Sequence, residues 1–207
     1  RLRKICDDHD ILLIFDEVIT GFGRIGSYTG AEEFGVTPDM MTVAKQITNG
    51  SIPLGAVVVK SAIYDAFIES GGPEYMVEFP HGYTYSAHPV ACAAGIAALD
   101  LLVREDLVQR VREISSIFEE SIHSLRSAPF VTDIRNYGLA GGISLEHYPK
   151  EPLRRPFELG VSCFEKGYYV RWGGDTVQLA PPFISSQDQI DSLINAVGES
   201  LNELAKS

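Results

Sequence analysis

Residues 11–24 read Ile-Leu-Leu-Ile-Phe-Asp-Glu-Val-Ile-Thr-Gly-Phe-Gly-Arg. The first five form an unbroken apolar run that ends in Asp16-Glu17. Such a run, without alternation, is the pattern of a strand buried on both faces, as in a parallel sheet flanked by helices. Working outward, residues 40–44 and 56–60 predict two further strands, with Asn49-Gly50 and Pro53 as the turn chemistry between them. Upstream, Leu2, Ile5 and Cys6 recur at helical spacing. Downstream, residues 61–70 read as a helix, and Gly71-Gly72-Pro73 opens an irregular, aromatic-rich stretch that runs to Pro89.

From Pro89 the pattern changes. Residues 89–104 predict an Ala-rich helix with proline at its start, where a missing N–H costs little. Leu107, Val111, Ile114, Phe118, Ile122 and Leu125 make one apolar face of a long helix. Strands are expected at 131–136, 140–146, 168–172 and 176–180, and a helix at 156–166. A last helix carries Ile190, Leu193, Ile194, Val197, Leu201 and Leu204, with Ser186 and Gln189 as its capping box. The fold class is therefore α/β. Residues 1–103 form part of a layer with a mostly parallel sheet, and residues 104–207 form a smaller α+β unit.

The 207 residues carry 17 Lys+Arg against 28 Asp+Glu, a net charge of −11. An acidic chain without a basic block lacks the cluster that phosphate-backbone binding starts from, so no nucleic-acid partner is expected. No apolar run approaches the ~18 residues of a membrane span. Cys6, Cys92 and Cys163 are far apart and never CxxC, which suggests neither a disulfide framework nor a zinc site. A reducing cytoplasm is the expected compartment.

Three features bear on chemistry. Gly21–Gly26 matches G-x-G-x-x-G after a strand, with Asp39 18 residues beyond Gly21, the spacing of a dinucleotide fingerprint. Yet Ser27-Tyr28-Thr29-Gly30 is a poor helix opening, and Asp16 to Thr20 intervene between the strand and the first glycine. Asp16 should sit at the carboxyl end of a buried strand, where open α/β sheets bind ligands; the plain alternative is a helix cap or a solvated strand end. Lys45 should emerge at the end of the next strand. It is either an ordinary snorkelling lysine or an amine whose pKa burial lowers, a nucleophile towards aldehydes. An amine that joins an aldehyde, beside an anion for a pyridinium nitrogen, is the pair that pyridoxal phosphate needs.

The words around these residues carry a family resemblance. Asp16–Arg24 resembles the DEVxTGFGR segment of the class III (subgroup II) aminotransferases. Ala44-Lys45-Gln46-Ile47-Thr48-Asn49-Gly50 with Pro53-Leu54-Gly55-Ala56 resembles their cofactor-lysine segment, and His81–Pro89 resembles their H-G-x-T-[FY]-x-x-[NH]-P segment. The likeness continues through Asn136–Gly141 and Val170–Asp175, nearly the whole chain. The Tyr83–His88 wording and the Arg171–Asp175 segment resemble in particular the ω-amino acid–pyruvate (β-alanine–pyruvate) branch.

The resemblance implies a fold-type I pyridoxal-phosphate-dependent transferase and a ping-pong transfer of an amino group to pyruvate. Asp16 matches the carboxylate that pairs with the pyridine nitrogen. Val18, two residues on and so expected on the same strand face, matches the apolar residue packed on the ring. Lys45 matches the lysine joined covalently to the cofactor. Thr84 matches a threonine that reaches the cofactor phosphate of the neighbouring subunit, which implies a homodimer or homotetramer; by itself it would read as a turn residue. Arg171 matches the arginine that binds a substrate carboxylate; its plain reading is a strand-edge arginine paired with Asp175. Other class III activities (4-aminobutyrate or taurine aminotransferase, aminomutase), an NAD-dependent dehydrogenase built on Gly21–Gly26, and a catalytically inert piece remain as alternatives. His81 and His88 lack a metal-site register, Ser86 lacks a G-x-S-x-G elbow, and the Asn49-Gly50-Ser51 sequon has no role in a cytoplasmic protein. The family pattern includes an upstream half with a phosphate-binding loop, so the chain is expected to be the carboxyl-terminal half of a subunit.

Overall fold

The computed structural model describes residues 1–206. It divides into two compact units, Arg1–Gly23 with Ser27–Asp106, and Arg24–Gly26 with Leu107–Ser207. The sequence boundary after residue 103 falls inside a helix that runs to Arg104. The assignment of Arg24–Gly26 to the second unit is announced by no sequence period, since it rests on long-range contacts.

In the first unit, helix α1 (Leu2–Asp8) precedes strand β1 (Ile14–Asp16), and a long turn leads to the single-turn helix α2 (Gly30–Glu33). Strand β2 (Met40–Ala44) runs into a 3-10 turn (Lys45–Thr48), followed by β3 (Gly55–Val59), helix α3 (Ser61–Glu69) and helix α4 (Pro89–Arg104). The sheet order is β1-β2-β3, with β1 parallel and β3 antiparallel to β2. A mostly parallel sheet is therefore corrected to a mixed one. The cause is the connection: ten residues, 45–54, separate β2 from β3, too few for the crossover that a parallel return needs.

Asp39, buried just ahead of β2, clamps this unit. One carboxylate oxygen accepts from Arg3 and from the Leu13 N–H, both at 2.7 Å, and the other accepts from Lys60 at 2.7 Å. The Leu13 N–H, then Lys60 and Arg3, hold its carboxyl well below the usual carboxylate range. The expectation that β1 is buried on both faces is corrected too. Ile14 is 53% exposed, every residue of β3 is exposed, and among the strand residues of this sheet Val43 alone is buried.

In the second unit, helix α5 (Leu107–His123) continues as a 3-10 turn (Ser124–Ser127), then strands β4 (Val131–Tyr137) and β5 (Ala140–Leu145) form a hairpin. Helix α6 (Arg154–Glu165), strands β6 (Arg171–Gly173) and β7 (Thr176–Leu179), and helix α7 (Gln187–Leu204) complete it. The sheet is antiparallel throughout, in the order β4-β5-β7-β6. Val111, Phe118 and Ile122 of α5, Ile143 of β5, Leu159 and Cys163 of α6, Val177 of β7, and Val197 and Leu201 of α7 are wholly buried. This is the expected apolar face of each helix meeting the inward residues of the strands. The capping box of Ser186 and Gln189 forms at the start of α7. Arg24 donates to the carbonyls of Leu139 (3.2 Å) and Pro181 (2.6 Å) and lies 4.6 Å from the centre of the Phe183 ring. Burial pushes its guanidinium down to about 10. No helix among the described residues is long and apolar enough to cross a membrane.

Candidate functional site

The parallel pairing of β1 with β2 aligns Asp16 with Thr42, so both strands end at the same edge of the sheet. Lys45 follows three residues after Thr42, immediately beyond the last residue of β2. Parallel strands thus bring together an acid and an amine that are 29 positions apart in the chain, at the carboxyl ends where α/β sheets bind ligands.

Asp16 is held by one oxygen only. Its Oδ1 accepts from the Val18 N–H (3.1 Å) and from the Thr42 hydroxyl (3.1 Å). Its Oδ2 accepts from no protein donor among the described residues, and the side chain is exposed. A carboxylate oxygen fixed in direction yet without a donor suits a cationic N–H brought by a ligand. The helix-cap alternative does not hold, because no helix begins at Asp16.

Lys45 takes φ +50, a left-handed conformation that a side chain normally avoids at a cost of order 1–3 kcal/mol. The surroundings enforce it. The Gly50 N–H donates to the Lys45 carbonyl at 3.0 Å, the buried Thr48 hydroxyl donates to the Ile52 carbonyl at 2.6 Å, and Asn49, also left-handed, caps the turn. Helix α4 braces the same turn: a side chain at Gly95 would come within 3.3 Å of Leu54 and 3.5 Å of the Ile47 carbonyl. The ammonium makes no ion pair among the described residues, and it borders an open cleft of about 540 Å³ lined also by Ala44, Thr48, Ile52, Pro53 and Leu54. Lys45 is exposed, which corrects the reading of an amine desolvated by burial. Its distinguishing property in this chain is backbone placement.

Val18 is corrected as well. Strand β1 stops at Asp16, so Val18 lies in the following turn, half-buried, and what it presents to Asp16 is its backbone N–H. Thr84 is exposed in a turn closed by the Ser86 N–H on the Tyr83 carbonyl (2.9 Å). Arg171 is exposed on β6 of the second unit, opposite Gln178. Its pairing with Asp175 is not observed; Asp175 accepts from the Thr176 hydroxyl at 2.9 Å.

Two residues of the site escaped the sequence reading. Thr42 had no signal of its own, because its role comes from cross-strand register. Glu17 lay within the quoted motif but read as part of a polar strand end, whereas it is 2% exposed and holds the turn after Asp16.

The glycine fingerprint lacks its structural context. No helix opens at Gly26, α2 is a single turn, and Asp39, the would-be ribose partner, is fully engaged by Arg3, Leu13 and Lys60.

A free carboxylate oxygen and an unpaired amine on adjacent strand ends fit a group with an aldehyde carbon and a protonatable ring nitrogen. Asp16, Thr42, Val18 and Lys45 are the residues that would hold it.

Comparison with known proteins gives the family of the chain. The family model described as "Aminotransferase class-III" matches residues 1–201. The chain is 58% identical over 205 residues to the beta-alanine–pyruvate aminotransferase of Pseudomonas aeruginosa, covering 99% of the chain and 46% of that protein. It is 57% identical over 204 residues to the omega-amino acid–pyruvate aminotransferase of Pseudomonas putida, covering 99% and 45%. Among solved structures, a taurine:2-oxoglutarate aminotransferase from Bifidobacterium kashiwanohense, in complex with PLP and glutamate, superposes with a TM-score of 0.87 at 29% identity, covering 100% of this chain and 47% of that one. The chain spans about half the length of the curated relatives it matches.

Proposed function

The chain belongs to the class III aminotransferases and has the α/β fold of the fold-type I pyridoxal-phosphate enzymes, and from that premise we propose that the whole protein moves an amino group from an ω-amino acid or amine to pyruvate in a ping-pong cycle. The observation that carries this reading is the placement of Asp16, with its Oδ2 unpartnered, and of Lys45, with its ammonium unpaired, at neighbouring strand ends. The donor and acceptor follow relatives whose names carry β-alanine, ω-amino acid and pyruvate. Bound pyridoxal phosphate supplies an electron-withdrawing ring that takes up the electron pair released at the substrate carbon.

Asp16 Oδ2 would hold the positive charge on the ring nitrogen, since Thr42 and Val18 occupy Oδ1 and leave Oδ2 without a protein donor. Lys45 Nζ is the amine that would hold the cofactor through its aldehyde carbon, water being lost as that bond forms, and the donor amine would take its place there. The Lys45 amine, once free, would act as base and acid, moving a proton between the amine-bearing substrate carbon and the cofactor's former aldehyde carbon in one half-cycle and in the opposite direction in the other. The turn fixes the Lys45 backbone, which limits where Nζ can act. The half-buried Val18 side chain is the candidate to pack on one face of the ring, while its N–H stays on Asp16. Arg171 binds the substrate carboxylate through a bidentate fork, and Thr84 reaches the cofactor phosphate of the neighbouring subunit in a homodimer or homotetramer. Three free thiols, Cys6, Cys92 and Cys163, accord with a cytoplasmic location.

The test is made on the full-length protein. Borohydride reduction of cofactor-loaded protein followed by peptide mapping should find the cofactor on Lys45, and Lys45→Ala should abolish both the label and turnover of β-alanine with pyruvate. A label on another lysine, or turnover that survives in Lys45→Ala, would overturn the assignment. A donor panel run against pyruvate and 2-oxoglutarate separates this activity from 4-aminobutyrate and taurine transfer.

A further inference from the structure

Strand β1 is only three residues long, and its final backbone contact with β2 is the Glu17 N–H on the Thr42 carbonyl at 2.8 Å. Beyond it the chain enters a turn with few anchors of its own. Ile19 is 54% exposed, and Phe22 and Gly23 both take positive φ. Yet this turn contains the Val18 N–H, one of the two donors that fix the direction of Asp16. Gly21 and Gly23 are buried and the Phe22 N–H donates to the Tyr28 carbonyl at 2.6 Å, and the part of the turn next to Asp16 is tied by a further, side-chain contact.

That contact is Glu17. Its carboxylate accepts from the Ala31 N–H at 3.0 Å, 14 residues away in sequence, and from the Thr20 hydroxyl within the turn. Its own carbonyl accepts the Gly21 N–H at 3.0 Å. The packing around it is complete: a Cβ at Gly30 would lie 2.9 Å from Glu17 Oε1, and one at Gly21 would lie 2.8 Å from the Glu17 carbonyl. A carboxylate 98% buried and bonded on both oxygens ties the turn to the chain around Ala31 and leaves the turn one orientation.

We infer that Glu17 is a positioning residue for Asp16: by locking the turn it keeps the Val18 N–H on Oδ1 and so reserves Oδ2 for the ring nitrogen of the cofactor. This rests on the reading of Asp16 proposed above. Without the lock, Val18 swings away, the Asp16 carboxylate rotates about its side-chain bonds, and the acceptor no longer faces one direction. Glu17 touches neither cofactor nor substrate in this scheme; it acts through Asp16 alone.

The dependence on Asp16 is what separates this role from simple stability. In the full-length protein loaded with pyridoxal phosphate, the dissociation constant of the cofactor and the pH midpoint of its visible absorbance are measured for Glu17→Ala, Asp16→Asn and the double variant. Glu17→Ala should loosen the cofactor by about tenfold and move the midpoint in the same direction as Asp16→Asn. In the Asp16→Asn background, where an amide cannot hold the ring charge in any orientation, Glu17→Ala should change neither quantity further. An unchanged midpoint in Glu17→Ala, or an undiminished effect in the double variant, overturns the inference while leaving the role of Asp16 intact. If Asp16→Asn itself alters neither quantity, the reading of Asp16 falls and this inference with it. Should Glu17→Ala fail to fold, Gly30→Ala takes its place, since the added methyl displaces Oε1 while leaving Glu17 present, and the same pattern of coupling to Asp16 is required of it.

Discussion

Replacing Gly160 by alanine should destabilise the protein, against the usual sign for that change. In an open helix interior alanine is better than glycine by about 1 kcal/mol. Gly160 lies within α6, buried, and a Cβ there would sit 2.3 Å from Cζ3 of Trp172, 2.6 Å from Cε3 and 3.1 Å from Cη2. The indole would have to retreat by more than one ångström to reach ordinary contact at 3.4 Å. Phe157 already meets it edge-on, with ring centres 5.9 Å apart, and β6 is pinned to β7 through Trp172 opposite Val177. Overpacking of this kind costs about 1–3 kcal/mol. Set against the helix-propensity gain of about 1 kcal/mol, the net loss is up to about 2 kcal/mol. Urea titration of the full-length protein should show a lowered midpoint with an unchanged slope. In a Trp172→Ala background the obstacle is gone, so the same substitution should turn stabilising by about 1 kcal/mol. A Gly160→Ala protein more stable than its parent, or one whose effect keeps its sign without the indole, would refute the packing argument.

Two further outcomes follow from side chains already described. The Asp39 carboxyl is held well below its ordinary value in the folded state, so its contribution is fully present above the unfolded pKa and is lost as the pH falls towards the folded one; Asp39→Asn should flatten the acid limb of the urea midpoint from about pH 5 down to about pH 2. Arg171→Ala should raise KM for β-alanine and pyruvate by about tenfold or more while leaving an amine without a carboxylate unchanged, since a charge-assisted hydrogen bond is worth about 1.5–3 kcal/mol; an equal loss on both substrates would remove Arg171 from carboxylate recognition.

How far the sequence reading reached differs between the two halves of the chain. Where an apolar period is long, as in α5 or α7, the sequence located the element and its buried face, because a repeat of 3.6 residues over four turns admits one solution. The capping box at Ser186 and the N-terminal proline of α4 were readable for the same local reason. Short strands were less so. The five-residue run from Ile11 shrank to the three paired residues Ile14–Asp16, because a strand is defined by its partner and β2 pairs only there. The direction of β3 and the allocation of Arg24–Gly26 depend on long-range contacts that leave no local signal.

At the candidate site, residue types and order were decided by the sequence: an acid after one apolar run, a lysine after the next, and the motif words around both. Tertiary structure alone decided that these two strands lie side by side and parallel, since hydrogen-bond pairing across 26 residues is not a local property. It also decided which Asp16 oxygen is left free, that Lys45 is set apart by a left-handed backbone rather than by burial, and that Glu17 is buried and bonded to the chain around Ala31. The direction of a carboxylate is set by the donors around it, and those donors come from positions 18, 20, 31 and 42, which only the folded chain brings together.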